Sequence, residues 1–389
     1  MLIFFREARM TFRSQLLTSI FMTACITSVA GGAAVAADLP ERDRIIQRSG
    51  PVIEASEVVS ETTESVTYKV TANAQPGTKR SSSIMRVEYA GMKSGNYRAG
   101  VEALGRGAYD EAADRFHQFA TGEREWERVY GSLAEGDALE IGKHYAEAAT
   151  AFQTALTSAP KHRLVLDATY RMGMNQAWAK NPAAAKTVDE LSLLSKGTIG
   201  QPAESRANAV RAAIALVAGN NLKFDEYAKK AVLRPTDEPD AWFHFNLWLA
   251  DAYRTTGKSK DASRIIDSML PTLDADPARK AQALGIKGLA LMETDPQAAM
   301  VEMLKLDVLP FGSEEQRCEA RMNAGKLMLV EAKTLAANPD TAKDERKSAF
   351  VKELERGARM LLQAASDSLT THPAKDQAET LLQSLPVAP

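Results

Sequence analysis

Gly257-Lys258-Ser259 ends the way a phosphate-binding loop ends, but Ala252 stands where that loop needs its first glycine and no strand precedes it. The triplet reads as a turn between helices. His117, His144, His162, His244 and His372 are scattered singly, without the close spacing that sets two imidazoles on one helix face. Neither HExxH nor CxxC occurs, so no transition-metal site is expected. Asp274 and Asp276, ahead of Pro277, lack the glycine and the closing glutamate of a calcium loop. Ser94 lies one residue too late to form a Gly-x-Ser-x-Gly elbow between Gly91 and Gly95. Glu123 and Glu125, around Trp126, read as an exposed acidic helix face rather than a glycosidase couple. No nucleophile, base and electrostatic stabiliser converge, so the sequence predicts no catalytic residue, no cofactor and no metal.

The aromatic run Trp242, Phe243, Phe245 and Trp248 is the other group that draws attention. Trp242 and Phe245 lie three apart and Leu249 comes four later, which is the spacing of a buried helix stripe. His244 and Trp248 fall on a neighbouring face.

The elements that must position these residues begin with a leader. Arg6, Arg9 and Arg13 precede an apolar run from Leu16 to Ala30, and Ala34-Val35-Ala36 supplies a small-x-small cleavage pattern. Residues 1–37 therefore read as a secretory signal peptide, placing the mature chain in the periplasm, at the outer membrane or outside the cell, with no membrane span after cleavage. Met22-Thr23-Ala24-Cys25 resembles the box at which bacterial lipoproteins are cut, which leaves a lipid anchor on Cys25 as an alternative. Cys318 is the only other cysteine, so the mature chain has no internal disulfide, and Cys318 is expected to be buried. Charged residues make up 25% of the chain and the formal net charge is -2. No global basic field exists to hold phosphate backbones, so nucleic acid is not an expected partner.

From Arg44 to Tyr89 the pattern has period two, as in Val66, Tyr68 and Val70 and in Met85, Val87 and Tyr89. Residues 38–90 are expected to form a β-rich module of four or five short strands, resembling the SH3-like or Sm-like barrels that precede helical repeats in some exported bacterial proteins. At Gly91 the period becomes helical and stays so. Gly107-Ala108-Tyr109-Asp110-Glu111-Ala112 with Phe116 recurs as Lys143-His144-Tyr145-Ala146-Glu147-Ala148 with Phe152. Small residues recur too, at Gly100, Gly136, Gly173 and Gly288, with Ala148, Ala185 and Ala262 in the partner helices.

These copies resemble the tetratricopeptide repeat, a two-helix unit with small residues where its helices cross. The resemblance implies a mainly α fold: an α-solenoid of about six helix pairs over residues 91–310, closed by a C-terminal helical cap over 311–389. It implies that the first helices of successive pairs line a groove for other proteins or peptides. The positions that match are Tyr130, Asp137 and Glu140, then Tyr170, Met174 and Trp178, then His244, Asp251 and Arg254. Of the family's carboxylate-gripping clamp only Arg171 matches, since Tyr97, Val101, Ala134 and Asp167 fill its other places, so chaperone tails are not expected there. The reading is a non-enzymatic interaction scaffold of the bacterial envelope. The alternative is an adaptor for an envelope enzyme or polysaccharide machine, with the β module on the substrate.

Overall fold

The computed structural model describes residues 40–385 apart from 94, 197–199, 237, 309–311 and 371. The expected leader over 1–37, with Cys25, lies outside the described residues, as does Ser94. Among the described residues the chain is mainly helical, with a small N-terminal β module of two sheets, and no helix is long and apolar enough to cross a membrane.

The module has six strands: β1 (Asp43–Gln47), β2 (Ile53–Ala55), β3 (Glu57–Glu61), β4 (Ser65–Lys69), β5 (Gly77–Arg80) and β6 (Ile84–Glu88). They form two antiparallel sheets in the orders β2-β1-β6 and β3-β4-β5. Asp43 ties the sheets together, its carboxylate accepting the Val58 N–H at 2.8 Å and the Ala90 N–H at 3.0 Å. Ile45, Ala55, Val58, Val66, Ile84 and Val87 fill the centre. Period two misplaces Met85 and Val70. The register shifts where Gln47 pairs with Ile84, so Ile84 rather than Met85 turns inward, and Val70 lies beyond the end of β4. Both Met85 and Val70 are exposed. A slip of one residue in register turns a strand's side chains to the opposite face.

The helices come in chain order: α1 (Gly95–Gly105), α2 (Tyr109–Ala120), α3 (Glu125–Ile141), α4 (Tyr145–Ser158), α5 (Val165–Trp178), α6 (Ala183–Ser195), α7 (Gln201–Val217), α8 (Asn221–Lys230), α9 (Pro239–Thr255), α10 (Ser259–Met269), α11 (Pro277–Leu291), α12 (Pro296–Val308), α13 (Glu314–Ala336), α14 (Pro339–Ala342), α15 (Glu345–Ser366) and α16 (Pro373–Gln383). From α1 to α8 each helix packs on the next, and α5 also packs on α7.

One turn recurs through this run. Gly107, Lys143, Lys180, Gly219 and Gly257 all have left-handed backbone, in steps of roughly 36 to 39 residues. Each ends the first helix of a pair with the same two bonds. The Lys143 N–H donates to Glu140 O at 3.0 Å and the His144 N–H to Leu139 O at 2.8 Å; at Lys180 and Asn181 the acceptors are Ala177 and Gln176. This is the Schellman closure, which satisfies carbonyls the helix end would leave open.

Within pairs, a glycine of the first helix meets a large side chain of the second. A Cβ on Gly100 would lie 2.6 Å from the Phe116 ring, one on Gly136 2.7 Å from the Phe152 ring, and one on Gly173 2.9 Å from Thr187 Cγ2. Phe116 and Phe152 are buried on all sides, so neither ring can retreat.

The chain divides into two compact units inside α9, the first ending at Trp242 and the second beginning at Phe243. The second unit has its own core. Phe243, Phe245 and Leu249 are buried there, with Arg279 lying 5.0 Å from the Phe243 ring centroid. Phe243 thus takes the central place that spacing gave to Trp242, which is half-buried. Helices α13 and α15, of 23 and 22 residues, pack along one another with Gly325 against Leu362. Cys318 is buried between them, its thiol 3.5 Å from Ala365 O.

Two outcomes are expected from this packing. Gly136→Ala should lower stability in urea titration by about 1–3 kcal/mol, the usual cost of overpacking a closed contact. The left-handed region costs an L side chain roughly 1–2 kcal/mol, part of which glycine forfeits to unfolded-state entropy. Since Lys143 and Lys180 are both exposed, Lys143→Gly and Lys180→Gly should each raise stability by about 0.5–1 kcal/mol.

Candidate functional site

Besides a smaller cluster of Arg211 with Glu204, Asn208 and Ser192, the first unit brings ionisable side chains together in two larger groups. One is the seam between the β module and α3–α5. Glu61, at the end of β3, has 1% of its side chain exposed. It accepts hydrogen bonds from the Tyr89 hydroxyl at 2.6 Å, the Tyr130 hydroxyl at 3.1 Å and Arg163 Nε. Arg163 Nη2 also donates to the Tyr130 oxygen at 3.0 Å. His162 Nδ1 accepts the Leu164 N–H at 3.2 Å, which assigns the ring proton to Nε2, 3.5 Å from Glu61 Oε1.

Burial by itself would push the Glu61 carboxyl up. The nearby His162 ring, the Arg163 charge and the Tyr89 hydroxyl outweigh it and hold the group at about 2. Apolar contacts extend the seam: Tyr89 stacks on Trp126 with centroids 4.2 Å apart and meets Tyr130 edge-on. The Thr63 N–H donates to Lys161 O at 2.9 Å.

The other place runs along the first helices α3, α5 and α7 to the start of α9. Arg171, on α5, reaches Asp137 Oδ1 at 2.8 Å and Glu140 Oε2 at 3.1 Å, both on α3. Asn175 Nδ2 donates to the same Glu140 oxygen at 2.6 Å. Arg206, on α7, lies 3.6 Å from Asp167 of α5 and donates to Glu238, just before α9, at 2.9 Å. Both guanidiniums lie over rings, Arg171 over Phe152 and Arg206 over Tyr170. Four carboxylates thus share two arginines, and Asp240 at the start of α9 adds its charge to the cluster.

The expected site residues fare unequally. Asp137 and Glu140 meet at Arg171. Tyr130 is drawn into the Glu61 seam. Tyr170 and Met174, each 2% exposed, lie inside this unit and offer no open side chain to a partner. Tyr170 is covered by Arg206, and Met174 faces inward on the same helix. Trp178 meets Tyr145 edge-on, with centroids 5.2 Å apart. His244, Asp251 and Arg254 lie in the second unit, where His244 sits edge-on to Phe243 and Arg254 pairs with Asp251 at 2.6 Å. Arg171, the one match to a carboxylate clamp, is engaged within the chain.

Glu61, His162, Arg163, Asn175, Arg206 and Asp240 escaped sequence reasoning. His162-Arg163 stands directly after the turn at Pro160 that closes a helix pair, the one place where a basic pair beside a β-module acid could have been suspected. Among the described residues no cluster of side chains is arranged to hold a metal ion.

No protein-family model matches the chain, and no curated protein does. Fold and site together define a mainly helical protein whose small N-terminal β module is joined to the helices through a buried carboxylate.

The seam makes a direct prediction. Removing one partner of a buried ion pair leaves the other uncompensated, so Glu61→Ala and Arg163→Ala should each cost about 3–5 kcal/mol. The double variant should cost less than the sum, as measured by urea unfolding. Because the folded value of Glu61 is depressed, its contribution is full above about 4.5, its ordinary value, and is lost as the pH falls toward about 2. The acid-unfolding limb of Glu61→Ala should be correspondingly shallower.

Proposed function

We propose that this protein is a non-enzymatic binding scaffold of the tetratricopeptide type, exported to the bacterial envelope, which holds a protein or peptide segment against the first helices of its repeats. The observation that carries the reading is the recurrence of one local design. A close-contact glycine in the first helix, a left-handed Schellman turn and an aromatic or branched residue in the second helix repeat through the pairs α1/α2, α3/α4 and α5/α6. Repeats of this kind leave the first helices side by side with one face in common.

On that face in the first unit, Asp137, Glu140, Asp167, Glu238 and Asp240 outnumber Arg171 and Arg206. The arginines are already engaged, so the surplus is acidic. A partner with lysine or arginine side chains would be steered there and held by charge as well as by shape.

The test begins with capture of the full chain's partners from a native envelope extract at low salt. The captured protein is then purified and titrated against the wild type and against Asp240→Lys, which reverses an exposed charge. Affinity should fall about tenfold or more with the substitution, and similarly in high salt. Binding indifferent to both would remove this face as the site. Retention of polysaccharide with no protein partner would favour the adaptor reading.

A further inference from the structure

Arg206 is held less completely than Arg171. Arg171 gives Nε and Nη2 to Glu140, both at 3.1 Å, and meets Asp137 with Nη2 at 2.8 Å, while Asn175 supports Glu140 alone. Arg206 lies as deep, with 8% of its side chain exposed, yet its one hydrogen bond runs from Nε to Glu238. Its Nη1 is shut off from solvent and donates to nothing, 3.6 Å from Asp167 Oδ1. A guanidinium has more donors than these partners use, and a buried donor left unpaired costs free energy that water would return. The closed position is therefore poised to open.

What Arg206 covers gives that position its meaning. The guanidinium lies 5.6 Å from the Tyr170 ring centroid, and Tyr170 is among the residues that the repeat pattern assigns to the groove. Glu238 stands in the connection between α8 and α9 and belongs to neither helix. Asp167, on α5, keeps 32% of its side chain exposed, so one side of this pocket borders solvent. With Arg206 swung aside, a ring face flanked by two carboxylates is left, which is a receptor for a cation. Its present occupant shows which cation fits: a guanidinium.

We propose that Tyr170, Asp167 and Glu238 form a binding site for an arginine side chain of a partner, and that Arg206 fills it in the free chain as a built-in competitor. The exchange keeps one positive charge between the two carboxylates and releases the unmet donors of Arg206 to water. An arginine arriving from outside is not tethered to α7, so its fork is free to align on Asp167 and Glu238 together. That a partner protein supplies the arginine rests on the scaffold reading; the site itself does not.

The experiment uses the full chain without any partner and reads the accessibility of Tyr170 by nitration with tetranitromethane, mapped by mass spectrometry. Tyr89, as deeply buried and bonded to Glu61, is the internal standard. In Glu238→Gln, with Arg206 in place, Tyr170 should nitrate about tenfold faster, as expected for weakening one charge-assisted hydrogen bond, while Tyr89 stays unchanged. Arg206→Met, which covers the ring without donors, should nitrate more slowly than the wild type. In Arg206→Ala, Tyr170 should react fast, and N-acetyl-arginine methylamide should slow it in a concentration-dependent way. The citrulline analogue, of the same shape without charge, should not. No protection by the arginine compound in a folded Arg206→Ala, or a Tyr170 as inert in Glu238→Gln as in the wild type, would overturn the site. If Arg206→Ala unfolds, Tyr89 reacts as well, and the Glu238→Gln comparison decides. If the site stands but a captured partner leaves Tyr170 unprotected, the scaffold reading fails at this place and the site does not.

Discussion

A carboxylate withdrawn from water must be compensated where it is buried, and Glu61 is compensated from three separate stretches of chain. Tyr89 comes from the end of the β module, Tyr130 from α3, and His162 and Arg163 from the loop before α5. The desolvation cost of such a group is several kcal/mol, recovered only when all partners stand in place together. The two sheets, α3 and the α4–α5 loop are therefore mutually dependent. The aromatic packing agrees, for Tyr97, Phe119, Trp126 and Tyr130 lie against the β core and help complete it. A module whose core is finished by helix residues is not a separate domain on a tether.

Beyond the seam the helices depend on a second constraint, the distance at which two helix axes can approach. Gly100 against Phe116 and Gly136 against Phe152 place a backbone directly on a ring, and the resulting pair geometry is repeated because the contact is repeated. The turn between the helices is held more tightly than its residue type. Gly107, Gly219 and Gly257 suit a left-handed backbone, whereas Lys143 and Lys180 occupy it despite their side chains. Two hydrogen bonds per turn fix the conformation regardless, which is how a local rule can be broken where tertiary structure is strong.

That contrast between local and tertiary control also sets what is legible in the sequence. Helix pairing, the close-contact glycines, the β module and the burial of Cys318 can all be read there, because each depends on residues near in sequence with a fixed period. The facing of Met85 and Val70 cannot, since for Met85 it turns on a register slip between β1 and β6, far apart in the chain, and for Val70 on where β4 ends. Tyr170 and Met174 look from their repeat positions like open anchors, but Arg206 on a later helix closes over the first. The Glu61 seam joins residues some hundred positions apart, and no period marks such a meeting. Asp137 and Glu140 are legible as neighbours on one helix face. Their inequality is not, because it is set by Arg171 and Asn175 on another helix.

The arginines decide what the acidic face can do. Arg171 and Arg206 each bind a carboxylate of an earlier helix, so the ion pairs run between successive first helices and set how those helices lie beside one another. A guanidinium bound in this way, half stacked on an aromatic ring, is no longer free to meet an incoming anion. The carboxylates remain in excess because each arginine is shared between two of them. Positive charge is thus used within the chain, and cohesion between successive first helices arises from this unequal pairing.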